Sequence, residues 1–151
     1  MEIVEVQQDY PFPARQVWQL TGEFSGLHKW LPGVTSCEVS GEGARDAGGD
    51  AERRVTLADG SITRESLESL DDNHCSYSYR ILEAKGFDAD SAYIGRFRIE
   101  PIAEAQCRIY WSAEFTVPEQ LPEEKVHKIR DRVTQMYQFF LAHLNTVLKE
   151  G

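Results

Sequence analysis

The chain has 151 residues, enough for one domain with its own core, and residues 1–151 are read as a single unit. Its 41% hydrophobic and 27% charged content is ordinary for a globular protein, while a formal net charge of −9 argues against nucleic acid and anionic membranes as partners. No apolar run has the length of a membrane span or the placement of a signal peptide, and Cys37, Cys75 and Cys107 form no CxxC pair, so reduced cysteines in a cytoplasmic protein are expected.

Residues 2–10 read as a first strand, with Ile3, Val4 and Val6 as its apolar members. Pro11 and Pro13 end it and open a helix at Ala14 that packs through Val17, Trp18 and Leu20. Gly22 and Ser25-Gly26 break that helix, and residues 27–31 give a second short one before Pro32-Gly33. Strands follow in quick succession: 34–40, 51–57, 62–70, 74–82, 92–99 and 107–117. A glycine-rich run at 41–49 reads as a mobile connection, and Ala58-Asp59-Gly60 as a hairpin turn. Residues 83–90 read as a loop and 101–104 as a turn. Links this short imply an antiparallel meander.

Residues 122–149 read as one helix about 40 Å long. Ile129, Val133, Met136, Phe140, Leu144 and Val147 make a stripe on the helical period, widened by Tyr137, Phe139, Leu141 and Leu148. Pro122, Glu123 and Glu124 suit its start, Lys149 and Gly151 its end. A helix this apolar must lie against a broad surface, and the strand series supplies one. The fold class expected is α+β.

The order strand, two short helices, six strands, long helix resembles the helix-grip (Bet v 1-like) fold of the START-like superfamily. The residues that carry the likeness are VWQLTGEFSGLHKWLPGV (17–34), ERRVTLADG (52–60), RESLESLDD (64–72), YSYRI (77–81) and IYWSAEF (109–115). The chain is most similar to the polyketide cyclase/dehydratase-like branch. The resemblance implies a curved seven-stranded antiparallel sheet gripping the C-terminal helix, with a cavity between them. It does not extend to the hormone-receptor members. Residues 57–61 read LADGS where those carry a gate sequence, residues 83–90 lack their latch, and Leu31 stands where they hold a ligand-clamping lysine. Both loops would still rim the cavity mouth, with Trp30 and Pro32.

Alternation along each strand assigns inner faces within that frame. The expected inward residues are Arg53, Val55 and Leu57; Glu65, Leu67 and Ser69; Cys75, Tyr77, Tyr79 and Ile81; Tyr93, Gly95 and Phe97; and Trp111, Ala113 and Phe115, faced by Met136 and Phe140. Arg64, Ser66 and Glu68 would lie in water, and Arg96 and Arg98 outward. The candidate ligand site is therefore Trp30, Arg53, Val55, Glu65, Tyr77, Tyr79, Tyr93, Trp111, Met136 and Phe140. An aromatic interior of this kind fits a small-molecule site, and equally a close-packed core. Arg53 and Glu65 are the sharper signal: a buried charge is costly unless paired, so they are expected to pair across neighbouring strands.

No metal set is expected from His28, His74, His127 and His143 or from the cysteines, no phosphate loop or nucleophile elbow is present, and no cofactor is implied. The function expected is binding of a small hydrophobic or aromatic ligand. The alternative is a cyclase or dehydratase that uses Glu65 or a tyrosine for proton transfer, and a third reading is a protein-binding module. A homodimer is left open.

Overall fold

The computed structural model describes residues 1–86 and 89–151; Phe87 and Asp88, within the loop expected at 83–90, lie outside the described residues. Seven strands form one antiparallel sheet in the order β1-β7-β6-β5-β4-β3-β2: β1 (Glu2–Tyr10), β2 (Val34–Ser40), β3 (Glu52–Leu57), β4 (Ile62–Asp71), β5 (Ser76–Glu83), β6 (Ile94–Ala103) and β7 (Gln106–Phe115). After β1, helix α1 (Ala14–Thr21) and a 3-10 turn at Leu27–Lys29 carry the chain to the far edge, where β2 begins the meander back. The meander ends with β7 beside β1, which joins the first strand to the last. Helix α2 (Glu123–Glu150) then lies on the inner face. The architecture is the expected curved sheet around a long helix.

Alternation holds cleanly on β7, where Cys107, Ile109, Trp111, Ala113 and Phe115 are buried. On β1 it buries Val4 and Val6 and leaves Ile3 58% exposed, so Ile3 is not a core residue. Strand β5 starts at Ser76, later than expected, because Cys75 takes a left-handed φ of 50°. Strand β6 starts later and runs further than expected, through Pro101. That proline is tolerated because β5 pairs with β6 only as far as Ser76 opposite Arg98, so no ladder bond is asked of its nitrogen on that side.

Two departures come from an irregular β4. The register slips between Leu67 and Ser69, leaving Glu68 as an extra residue. Ser69 therefore pairs with Ser78 on the outer face, not inward as simple alternation predicts. Glu68 becomes the acceptor for Ser66 Oγ at 3.0 Å and Arg80 Nε at 3.1 Å, with Arg45 at 3.8 Å. Ser66 was expected in water; it is 2% exposed, with residues 44–51 folded back beside it. That glycine-rich segment is an ordered loop with a 3-10 turn at Arg45–Ala47, held by Asp50 N–H to Glu42 O and Ala51 N–H to Gly43 O, both at 3.0 Å.

The phase of α2 also differs from the stripe read in the sequence. Its buried residues are Tyr137, Leu141, Leu144 and Leu148, while Met136 is 39% and Phe139 62% exposed. The helix is pinned at mid-length by β1: Tyr10 Oη–H donates to Leu141 O at 2.7 Å and Gln8 Nε2–H to the same carbonyl at 3.3 Å. Among the described residues no helix is long and apolar enough to cross a membrane.

Candidate functional site

Hairpin β3–β4 places Arg53 directly opposite Glu65, with both side chains on the inner face. Arg53 Nε–H donates to Glu65 Oε1 at 2.7 Å, and Nη2 lies at the same distance from that oxygen in the ion pair. A third donor, Nη1, reaches Phe24 O at 3.3 Å, in the break after α1. The guanidinium lies over the rings of Phe24 (4.5 Å), Tyr79 (5.3 Å) and Tyr77 (5.7 Å). Burial works against its charge, but the attraction and hydrogen bonds of Glu65 outweigh that cost and hold its pKa above the ordinary range. The Tyr77 hydroxyl is near enough to sense that charge, yet it has no hydrogen-bond partner among the described residues. Glu65 Oε2, by contrast with Oε1, accepts no hydrogen bond among the described residues.

Beside the pair runs a chain of hydroxyls. Trp111 Nε1–H donates to Tyr79 Oη at 3.1 Å, Tyr79 Oη lies 3.2 Å from Tyr137 Oη, and Tyr137 is hydrogen-bonded to Tyr93. Trp111 stacks on Tyr137 at 4.3 Å and 11°, which fixes the middle of the chain. Tyr79 lies flat across β6 because its lateral neighbour there is Gly95: a Cβ at that position would sit 2.2 Å from Tyr79 Cζ. Desolvation holds the phenols of Tyr79, Tyr137 and Tyr93 above their ordinary pKa of 10.0, so all three keep their protons at neutral pH.

These groups share a cavity of about 200 Å³ between the sheet and α2. Of the residues picked out in the sequence, Arg53, Val55, Glu65, Tyr79, Tyr93, Trp111, Met136 and Phe140 line it. Met136, being 39% exposed, stands at its edge on α2 and not within. Trp30 and Tyr77 do not line it. Trp30, expected on the rim, is 1% exposed and packs against Phe97 and Trp111 behind the cavity wall. Tyr77 points inward as predicted, but packs against Trp18, Tyr79 and Phe97, away from the open space. Tyr137 is the chief residue the sequence reading missed as a site residue. Its signal was present, since 137, 141, 144 and 148 step by four, three and four. Leu27, Leu31, Val34 and Thr63 complete the wall with Leu57, Ile81 and Ala84. The two loops expected at the mouth are tied together by Lys85 Nζ to Asp59 Oδ2 at 3.2 Å.

A larger groove of about 570 Å³ lies on the surface between the start of α1, the β4–β5 turn and the end of β6. Its main cation, Arg15, is already bound to Asp72 O at 2.8 Å and Asn73 O at 3.1 Å. The chemistry converges on the inner cavity, not on this groove. Among the described residues no three His, Cys, Asp or Glu side chains gather as a metal set.

A family model described as polyketide cyclase / dehydrase and lipid transport matches residues 1–149. No curated protein matches the chain significantly. Among solved structures, an uncharacterised protein of Bacillus thuringiensis is 25% identical, with a TM-score of 0.78 over 96% of this chain and 97% of its own. The di-domain ARO/CYC BexL of the BE-7585A biosynthetic pathway has a TM-score of 0.80 at 16% identity, over 99% of this chain and 47% of its own. A START superfamily protein of Mycobacterium smegmatis has a TM-score of 0.69 at 13% identity, over 99% of both chains. The last two likenesses concern the fold.

Proposed function

The chain belongs to the polyketide cyclase/dehydrase and lipid transport family, and from that premise we propose that it binds a small, largely apolar molecule in the cavity between sheet and α2. The observation that carries this reading is the cavity itself: about 200 Å³ left open in an otherwise packed aromatic core, with one ion pair and one hydroxyl chain on its walls. A space of that size is nearer the roughly 150 Å³ apolar cavity that takes up benzene than the 300–1,000 Å³ of drug-sized sites. The bound molecule is therefore about one ring in size.

Phe140→Trp tests this. Phe140 lines the cavity 5.8 Å from Trp111, so a larger side chain there grows into open space. A one-ring apolar quencher, 4-nitrotoluene, should bind the parent and quench Trp111, and the variant should exclude it with little loss of stability. If the parent binds no probe, and the variant loses the about 1–3 kcal/mol expected of an overpacked core, the ligand reading has no site.

A second reading, a cyclisation or dehydration step, is favoured by the family's description and by the carboxylate of Glu65 on the cavity wall. Two observations weigh against it. The Tyr79, Tyr93 and Tyr137 phenols are held protonated, so none is a base at neutral pH. The cavity also takes one ring, not an extended polyketide chain. Native mass spectrometry of the freshly purified protein separates the readings by the mass of what it carries.

A further inference from the structure

The polar atoms on the cavity wall do not balance, and the imbalance says what a ligand must bring. Tyr79, Tyr137 and Tyr93 carry one hydroxyl proton each, and among the described residues the Tyr79–Tyr137 and Tyr137–Tyr93 contacts consume one apiece. One O–H is therefore left over, whichever way the chain runs. Trp111 Nε1 can only donate, and it donates into Tyr79. Hydrogen bonds reinforce one another when they run in one direction, which here is Trp111 to Tyr79 to Tyr137 to Tyr93. The surplus donor then sits on Tyr93. At 8% exposure Tyr93 is buried yet less so than Tyr79 at 4% and Tyr137 at 1%. On the other side, Glu65 is 7% exposed, and among the described residues its contacts with Arg53 fall on Oε1, which leaves Oε2 free to accept from a ligand.

The strand pairing sets how far apart the two residues stand. Glu65 pairs with Ile81 on β5, and the Ile81 N–H donates to Tyr93 O on the other flank. Glu65 and Tyr93 therefore stand two strand spacings apart, about 10 Å between backbones, with Ile81 between them. The Arg53–Glu65 pair carries no net charge, so an ionised ligand would be stripped of water with nothing to offset it.

We propose that the cavity selects an uncharged single-ring molecule with an oxygen acceptor at one end, held by Tyr93 Oη–H, and an O–H or N–H donor at the other, held by Glu65 Oε2. This rests on the ligand-binding reading above and narrows it to a chemical class.

The test is calorimetric titration of the full chain near pH 6 with p-xylene, 4-methylacetophenone, 4-hydroxyacetophenone and 4-hydroxybenzoate. The first has no polar group, the second an acceptor only, the third both groups, and the fourth a charge. The expected order on the parent is 4-hydroxyacetophenone tightest, about tenfold ahead of 4-methylacetophenone, which leads p-xylene by several-fold. 4-Hydroxybenzoate should bind weakest. Tyr93→Phe should bring 4-methylacetophenone level with p-xylene while leaving p-xylene unchanged. The ranking on the parent needs no variant to fold. If the three neutral probes bind the parent equally, or if 4-hydroxybenzoate leads, the selection is overturned while the ligand-binding reading stands. If none of the probes binds, both fall.

Discussion

Replacing Glu65 by Gln keeps the shape of the Arg53 partner and removes its charge. Arg53 is 2% exposed, and its Nε donates to Glu65 at 2.7 Å with Nη2 equally close to the same carboxylate oxygen. Breaking a buried pair on one side costs about 3–5 kcal/mol, because the other charge stays buried without a counter-charge. Two features of this site pull the cost toward the lower figure. The amide oxygen of Gln can still accept from Nε or Nη2, and the rings of Phe24, Tyr79 and Tyr77 remain around the cation. About 3 kcal/mol is expected, which for a chain of this size lowers Tm by roughly 6–12 °C. The double variant Arg53→Met with Glu65→Leu should lose much less than the two single changes summed, since it removes both charges and keeps apolar volume. Urea unfolding of the parent, Glu65→Gln, the singles Arg53→Met and Glu65→Leu, and the double supplies both comparisons. A loss under about 1 kcal/mol for Glu65→Gln, or a double variant as poor as the sum of the singles, would refute the reasoning.

Gly95→Ala should force Tyr79 off β6, breaking its bonds to Trp111 and Tyr137, at a cost of about 1–3 kcal/mol; unchanged Trp fluorescence and stability would show that Tyr79 is not held there. Alkaline pH should unfold the protein cooperatively. Tyr79, Tyr93 and Tyr137 have folded pKa values raised above 10.0 by burial, so their contribution is intact below pH 10 and is lost as pH rises beyond it, where only the unfolded chain sheds these protons. Their tyrosinate absorbance should appear together with loss of far-ultraviolet circular dichroism, and its gradual appearance in folded protein would contradict this. Cys107 is fully buried, with its thiol pushed up to about 11 by desolvation, so a thiol reagent at neutral pH should reach half-buried Cys37 first and Cys107 only after unfolding. Mass mapping of the modified peptides decides it.

The parts of this molecule that could be read from its sequence are those governed by short-range rules. Arg53 and Glu65 lie equally far from the Asp59 turn, so a plain hairpin register puts them opposite one another, and the cost of a lone buried charge does the rest. Where the reading failed, a rule of period was interrupted or ambiguous. The extra residue at Glu68 reverses the face of Ser69, and nothing in the alternation of RESLESL announces it. On α2 apolar residues cover so wide an arc that two seams fit the sequence. Only docking against β1 and Trp111 selects the one through Tyr137 and Leu141. Trp30 was misplaced because a short 3-10 turn has no strong periodicity to orient it. Its burial behind Trp111 is a tertiary fact.

The irregularity in β4 has a consequence for how this chain tolerates changes of length. Leu67 opposite Tyr79, Ser69 opposite Ser78 and Leu70 opposite Tyr77 already stand as they would in a strand without Glu68. Excising that one residue would therefore leave every inward side chain on its own side, unlike a deletion elsewhere in the strand, which would turn the downstream half inside out. What the excision would remove is the acceptor shared by Ser66, Arg80 and Arg45, together with the extra bend and twist that a bulge gives a strand. A sheet that bends less would wrap α2 less tightly, so a residue that never faces the space between them contributes to its depth from the outer surface.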